Sequence, residues 1–243
     1  MILEAPVFTI DAALHAARFG VHRLELCSDF SEGGETPSVG ALAFLKQRLE
    51  IPIFVMIRPR GGDFVYTEAE LEVMERDIQI LSGYGADGFV FGVLDAEGKV
   101  DSQACERLIK SATGKPCTFH RAFDVCADPR EGMEVIISCG FQRILTSGGE
   151  NSVDEGFDNI LEYFDRAKDR VIIMPGGGLK PSHVSALKNH FSIKEVHASC
   201  KSYRPSLSAY SHPRVRLSAD EKAFSRVLDV DQACVEKFLE AMK

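Results

Sequence analysis

The sequence predicts an α/β protein with the (β/α)8 TIM-barrel fold, built as a single domain over residues 1–243. Apolar runs recur at roughly 25 to 35 residues, and helical patterns fill the intervals between them. No Pro/Gly/Ser-rich linker or shift in composition divides the chain. A doubly wound open sheet is the alternative, but no GxGxxG segment opens the first helix, and the double periodicity favours closure into a ring.

Two interleaved series of strands make up the repeat. In the first, a glycine or serine and a short polar stretch precede an apolar strand, as expected where a helix ends in a left-handed cap. Its members are FGVHRLEL (19–26), YGADGFVF (84–91), CGFQRILT (139–146) and FSIKEVHA (191–198). The second series contains near-continuous apolar runs, which are typical of strands covered on both faces. Its members are IPIFVMIRP (51–59), KPCTFHRA (115–122) and RVIIMPGG (170–177), and LEAPVF (3–8) supplies the first strand.

Helix starts between the strands are predicted from capping-box spacing, in which a Ser or Thr is followed three residues later by Glu. The pairs with this spacing are Thr67 with Glu70, Ser152 with Glu155 and Ser218 with Glu221. An extended loop is predicted near residues 198–219, before the last helix. Its basic segment favours a position over the barrel mouth or in a subunit contact, with an ordinary solvated loop as the alternative.

Composition and charge exclude several classes of function. A formal charge of -8 and a pI near 5.4 argue against broad binding of nucleic acid or an anionic membrane. No apolar run is long enough to span a membrane, and the first residues lack a signal-peptide pattern, which predicts a cytoplasmic protein. The seven cysteines are scattered without a CxxC pair, which predicts reduced thiols rather than disulfides. No nucleotide cofactor is expected.

The predicted functional site lies at the C-terminal ends of the strands, where TIM barrels place their chemistry. Charged residues that begin inside apolar runs are costly to bury unless they are paired or used. The catalytic candidates are Glu25, Arg58, Arg60, Asp63, His120, Arg121, Asp124 and His197. Arginine forks suit a carboxylate or phosphate, and His120 is the predicted proton carrier at neutral pH. A structural ion pair between Glu25 and an arginine is the alternative.

Glycine-rich segments after the sixth and seventh strands predict an anion cradle, because free backbone N–H groups bind anions and this end of the barrel often holds phosphate. The anion-binding candidates are Ser147, Gly148, Gly176, Gly177 and Gly178. A tight turn is the alternative for the last three. These residues predict an enzyme acting on a small phosphorylated or carboxylated metabolite, with isomerisation, aldol-type cleavage and hydrolysis all open. A non-catalytic scaffold is a further alternative.

Five ordered motifs resemble the CutC family of copper homeostasis proteins, from residue 2 to about 235. They are RLELCSDFSEGGETPSVG, VMIRPRGGDFVY, TFHRAFD, RILTSG and IMPGGG. The resemblance implies a TIM barrel, a cytoplasmic location, homo-oligomeric assembly and a role in copper binding or tolerance. Of the family's Cu(I) cysteine ligands, only Cys27 in RLELC carries over. The implied partner is therefore a copper ion, whereas the arginines favour a small anionic metabolite.

Overall fold

Eight parallel strands form a ring in the computed structural model, which describes every residue except 216, 217, 219 and 221. They are β1 (Ile2–Val7), β2 (Arg23–Leu26), β3 (Ile53–Met56), β4 (Gly88–Phe91), β5 (Cys117–Phe119), β6 (Arg143–Thr146), β7 (Ile172–Pro175) and β8 (Glu195–His197). The strands are hydrogen-bonded in the order β7-β6-β5-β4-β3-β2-β1-β8, and contact between β7 and β8 brings the two ends together. The predicted TIM-barrel fold is confirmed.

Helices alternate with these strands and cover the outside of the ring. They are α1 (Ile10–Phe19), α2 (Val39–Lys46), α3 (Glu68–Gly83), α4 (Ser102–Ser111), α5 (Pro129–Cys139), α6 (Val153–Ala167), α7 (Pro181–Lys188) and α8 (Gln232–Met242). A short 3-10 helix (Arg121–Val125) follows β5. None of these described helices is both long enough and apolar enough to cross a membrane.

The predicted helix starts have three different outcomes. Thr67 and Glu70 form both hydrogen bonds of the capping box at the start of α3. Ser152 occupies the N-cap position of α6, but its side chain makes no capping hydrogen bond, so that capping box is absent. In the third pair, Glu221 lies outside the described residues. The last helix begins later than that pair predicted, at Gln232, because the chain first forms a strand.

An antiparallel hairpin precedes α8, formed by β9 (Lys201–Pro205) and β10 (Arg226–Val230). Strand β9 occupies the start of the segment predicted as an extended loop near 198–219, so the irregular part begins after Pro205. One ion pair and one hydrogen-bond contact fasten the hairpin to α1. Arg204 lies 2.6 Å from Asp11, and Asp229 lies 2.8 Å from His15.

A buried ionic network crosses the inside of the barrel beneath its mouth. Arg23 donates to Glu4 at 2.5 Å and also to Glu195, while Arg143 donates to Glu195 at 3.0 Å. The two guanidinium groups lie 4.5 and 4.9 Å from the ring centroid of Phe54. All four charged side chains are buried, so each charge depends on its partners for compensation.

The start of α6 packs directly on the loop after β6, through two glycines. A Cβ on Gly156 would lie 2.0 Å from the Ser147 carbonyl oxygen, and a Cβ on Gly148 would lie 2.1 Å from the Gly156 carbonyl oxygen. Backbone atoms cannot move aside as a flexible side chain can. This contact therefore fixes the loop that forms one wall of the site.

Gly156→Ala should lower the free energy of unfolding by about 1–3 kcal/mol, although alanine normally favours a helix, because the added methyl group overlaps the backbone. Gly83→Ala is the matched control: Gly83 is also helical, but a Cβ there meets no atom within 4 Å. That control should raise stability by up to about 1 kcal/mol. Urea unfolding of both variants tests the pair, and a stabilised Gly156→Ala protein would contradict the packing.

Candidate functional site

A cavity of about 830 Å³ opens at the C-terminal ends of the strands, a volume that suits a small ligand. Eight of the predicted site residues line it: Glu25, Arg58, His120, Arg121, Asp124, Gly177, Gly178 and His197. Apolar side chains complete the wall, among them Phe8, Phe30, Met56, Phe64, Leu145 and Leu179. The barrel therefore brings residues from distant parts of the chain to one opening.

A carboxylate–imidazole–carboxylate chain lies on one side of this cavity. Parallel pairing places Glu4 opposite His197 in the neighbouring strand, and the Nδ1 atom of His197 lies 2.8 Å from Oε1 of Glu4. The other ring nitrogen of His197 lies 3.9 Å from Oε2 of Glu25. Because Glu4 holds Nδ1, the Nε2 atom is the one that faces Glu25.

The three groups differ in their affinity for protons. Burial raises the pKa of Glu25 to about 7, although the neighbouring His197 acts in the opposite direction. Burial also raises the pKa of Glu4, but the charges of Arg23 and His197 and their hydrogen bonds outweigh it and hold the pKa at about 2. The pKa of His197 is raised, because Glu25 and Glu4 outweigh the effect of burial. Glu25 is thus the carboxyl group that can exchange a proton near neutral pH.

Glu4, Glu25 and His197 also meet the distance requirement for a metal site, since one ligand atom from each lies within 4.8 Å of the others. The existing contacts argue against that use. Glu4 already accepts from Arg23 with one oxygen and contacts His197 with the other. A bound cation would have to displace a buried guanidinium or imidazole partner, so the geometry favours proton transfer over metal binding.

His120 lies on the cavity wall as a neutral imidazole. Burial, followed by the charge of Arg58, lowers its pKa to about 3. The Ala122 N–H donates to Nδ1 at 3.2 Å, which leaves the ring proton on Nε2. The low pKa and this tautomer do not suit the predicted proton carrier at neutral pH: the Nε2–H is available to a ligand as a donor, and the group whose pKa lies near neutral is Glu25.

Arg58 lines the cavity, but most of its guanidinium is used for structure. Its Nη1 atom donates to the carbonyl oxygens of Glu32 at 2.5 Å and Gly34 at 3.0 Å, and Nη2 donates to Gly62 at 2.8 Å. These bonds hold the loops after β2 and β3 together. Arg58 is therefore mainly a support for the rim of the site.

Arg60 and Asp63 do not line the cavity, which corrects their predicted place in the site. Arg60 turns toward the start of α3, where it lies 2.6 Å from Glu70 and 3.0 Å from Asp63. It also donates to the Val65 carbonyl oxygen at 2.8 Å. Its guanidinium is thereby held at the start of α3 and away from the cavity.

Asp124 is an organiser of the loop after β6 rather than a free acid or base. Its carboxylate accepts from the Thr146 hydroxyl at 2.5 Å and from the amides of Ser147 and Gly149 at 3.0 Å. Arg121 adds a further bond at 2.7 Å. Both oxygens are occupied, so the predicted acid–base role is replaced by a structural one.

Three of the predicted anion-binding groups are already engaged. The Gly148 amide donates to the Thr146 hydroxyl, and the Gly176 amide donates to the Thr146 carbonyl, both at 2.9 Å. The Ser147 hydroxyl donates to the Glu150 carbonyl and accepts from an arginine. Gly148, Gly176 and Ser147 are also absent from the cavity lining. Fewer donors are therefore available to bind an anion than the sequence analysis predicted.

Free donors remain at Gly177, Gly178 and Arg121. Within the described part of the chain, neither glycine amide donates a hydrogen bond, and Nη1 of Arg121 has no acceptor. An added Cβ at Gly177 would lie 3.2 Å from that Nη1 atom, and Gly177 has a φ of +86°, so glycine suits this close approach. These three donors belong to residues that line the same cavity as His197, and we expect them to form a smaller cradle for an anion.

Cys27, the predicted copper ligand, lies outside the cavity lining. Burial, reinforced by the neighbouring Glu25, raises the pKa of its thiol well above the usual value. The sulfur lies 3.6 Å from Oε2 of Glu25. It packs with Phe54, Met56 and Val90 in a small apolar cluster. In this setting the Cys27 thiol stays protonated, and its role as a metal ligand stays a prediction.

Three buried polar atoms on the cavity-lining residues have no hydrogen-bond partner among the described residues. They are Oε1 of Glu25, Nε2 of His120 and Nε of Arg58. Buried polar groups are nearly always paired, and the exceptions require an explanation. A polar ligand in this cavity would supply the missing partners.

Sequence reasoning missed Glu4 as a site residue, together with Cys200 and Cys234 on the cavity rim. The signal was the alternation of charge and apolar residues in RLEL and EVH, which points Arg23 and Glu195 inward. Which of these inward charges pair with each other depends on how neighbouring strands are aligned. That alignment cannot be read from the sequence.

The fold and the cavity define a TIM-barrel protein with a buried carboxyl–imidazole site at the mouth. The sequence profile of the CutC family matches residues 1–202. The chain is 43% identical over 218 residues to the mouse copper homeostasis protein cutC homolog, covering 90% of this chain and 80% of that protein. A CutC family protein of Xanthomonas axonopodis pv. citri (strain 306) is 40% identical over 100% of this chain and 99% of its own.

A solved structure of the CutC protein from Streptococcus agalactiae is also similar. Its TM-score is 0.77 at 32% identity, over 82% of this chain and 98% of the other. This chain therefore belongs to the CutC family, and its mouse relative carries the name of a copper homeostasis protein. The resemblance inferred from the five sequence motifs is confirmed.

Proposed function

We propose that this protein is an enzyme that moves a proton beside a carbonyl group in a small phosphorylated or carboxylated metabolite. The observation that carries this proposal is the set of unpaired polar atoms on Glu25, His120 and Arg58 around one cavity. An acid–base group with a pKa near 7 and a neutral imidazole donor suit enolisation, which is the common step of isomerases and aldolases. Hydrolysis, the third reaction type, has less support from these groups.

Each residue has a distinct role in this proposal. Glu25 removes or returns the proton, and His197, held by Glu4, takes part in the proton exchange. The Nε2–H of His120 donates to the oxygen that becomes negative, as a preorganised neutral donor. Arg121 and the amides of Gly177 and Gly178 hold the phosphate or carboxylate of the substrate away from the reacting carbon.

Arg121→Gln should weaken the binding of inorganic phosphate by about 10- to 100-fold, because a charged hydrogen-bond donor in the cradle is lost. Isothermal titration calorimetry with phosphate measures this directly. Arg130→Gln is the matched control, since Arg130 pairs with Glu162 on the outer surface. Equal phosphate affinity in the wild-type protein and the Arg121→Gln variant would remove the anion cradle from the proposal.

Copper handling is the second candidate function. It is supported by the names of the relatives and by the two sulfur-containing side chains beside Gly34. A Cβ on Gly34 would lie 3.4 Å from the Cys27 sulfur and 3.5 Å from the terminal methyl of Met56. Thiolate and thioether are the ligands that Cu(I) prefers. Cys27 offers a single thiol within an apolar cluster outside the cavity lining, which weighs against this particular place.

The proposed function also includes a location and an assembly state. A cytoplasmic location and homo-oligomeric assembly follow from the family resemblance and stay predictions. Gel filtration with light scattering on the purified protein measures the assembly state.

A further inference from the structure

Two cysteines from distant parts of the sequence meet on the rim of the cavity. Cys200 follows β8, and Cys234 lies in the first turn of α8. Both are free thiols, and both line the cavity, Cys200 as a buried residue and Cys234 as a half-buried one. This pair differs from Cys27, which lies outside the cavity lining.

Asp231 holds the two cysteines in position. Its backbone N–H donates to the Cys200 carbonyl oxygen at 2.7 Å, and its carboxylate accepts from the Cys234 N–H at 2.6 Å. Cys200 also has a φ of 42°, a left-handed conformation that is uncommon for residues other than glycine and often marks functional positions. The pair is therefore fixed by backbone contacts before any ligand binds.

The Cys200 and Cys234 side chains lie close enough to interact. Burial is the main cause that raises the pKa of Cys200, and interaction with the Cys234 thiol is the next. The Cys200 thiol accordingly carries its proton in the free protein and is not an activated nucleophile. Two cysteine thiols on one cavity rim suit a soft metal ion, which replaces their two protons and neutralises one of the two resulting thiolate charges.

We propose that Cys200 and Cys234 together bind one Cu(I) ion as a pair of thiolates at the cavity rim. Two S–H bonds break, two S–Cu bonds form, and two protons leave to solvent, with no change in oxidation state. Lys201 directly follows Cys200 in the chain and also lines the cavity. Its ammonium group lies 5.2 Å from the ring centroid of Phe30. This inference rests on copper handling, the second candidate function, and is independent of the acid–base proposal.

Anaerobic titration with Cu(I), in competition with bathocuproine disulfonate, tests the proposal. The wild-type protein should bind one Cu(I), and Cys200→Ser/Cys234→Ser should weaken binding by more than the roughly 10- to 100-fold that loss of an outer partner costs. Cys27→Ser should keep wild-type affinity. Cys126→Ser is the matched control, because Cys126 is a half-buried thiol outside the cavity lining.

Each outcome has a defined meaning. Loss of binding in Cys27→Ser, with full binding in the double variant, overturns this inference but keeps copper handling. Absence of Cu(I) binding by the wild-type protein overturns both. X-ray absorption of the wild-type complex gives a second measurement, in which two sulfur neighbours support the pair and a shell of nitrogen and oxygen neighbours contradicts it. If the double variant does not fold, the single variants Cys200→Ser and Cys234→Ser are titrated with Cu(I) in its place.

Discussion

Glu195→Ala should lower the free energy of unfolding by roughly 3–5 kcal/mol, the largest stability effect expected in this barrel. Glu195 is buried and accepts from both Arg23 and Arg143. Its removal leaves two buried guanidinium groups with insufficient compensation, inside a ring of apolar strands. Urea unfolding followed by circular dichroism measures the change.

A surface ion pair provides the control for this prediction. Glu134 lies on α5 with a side chain that is 41% exposed, and it pairs with Arg170 and Arg166. Exposed pairs gain little because water and salt screen them, so Glu134→Ala should leave stability nearly unchanged. If Glu195→Ala and Glu134→Ala lowered the free energy of unfolding by similar amounts, burial would not explain the contribution of the inner network to stability.

Glu25→Gln should reduce proton exchange at carbon by about 100- to 10,000-fold, the usual contribution of a general acid–base group. Glutamine keeps the shape of the side chain but cannot accept the proton. The measurement is proton NMR in D2O, following loss of the C–H signal beside the carbonyl of pyruvate and dihydroxyacetone phosphate. These probes represent the carboxylated and phosphorylated classes, and absence of exchange by the wild-type protein with both contradicts the proposed reaction.

The same reaction should depend on pH in a defined direction. Burial raises the pKa of Glu25 to about 7, and only the ionised carboxylate acts as a base. The exchange rate should therefore rise as pH increases toward 7 and level off above it. Glu25→Gln should lose this inflection. Glu72→Gln makes the same chemical change on the exposed face of α3 and should keep the wild-type rate and profile.

The sequence was sufficient to predict the fold because the relevant signal is local and repeated. Glycine caps mark the ends of helices, and continuous apolar runs indicate strands covered on both faces. Eight repeats of strand and helix predict a closed barrel. The late start of α8 was missed because Ser218 and Glu221 have capping spacing, while the β9–β10 hairpin forms through pairing between residues 21 to 29 positions apart. Such pairing leaves no simple spacing in the sequence.

The site was predicted in outline and corrected in detail. Glu25, Arg121, His120 and His197 were expected at the mouth, because the ends of parallel strands meet there. Which of them titrates near neutral pH depends on burial and on neighbours brought by other strands. For that reason Glu25, one of the predicted catalytic candidates, has the pKa near neutral, and His120 does not. Arg60 does not reach the site because its guanidinium pairs with Glu70 and Asp63.

The most direct test of the central claim is the position of a bound anion in crystals soaked with arsenate, located by anomalous scattering. The account predicts an ordered ion within hydrogen-bond distance of Nη1 of Arg121 and the amides of Gly177 and Gly178, on the same cavity as Glu25. An ion ordered only on arginines or lysines outside that cavity, or an empty cradle at saturating arsenate, would contradict it.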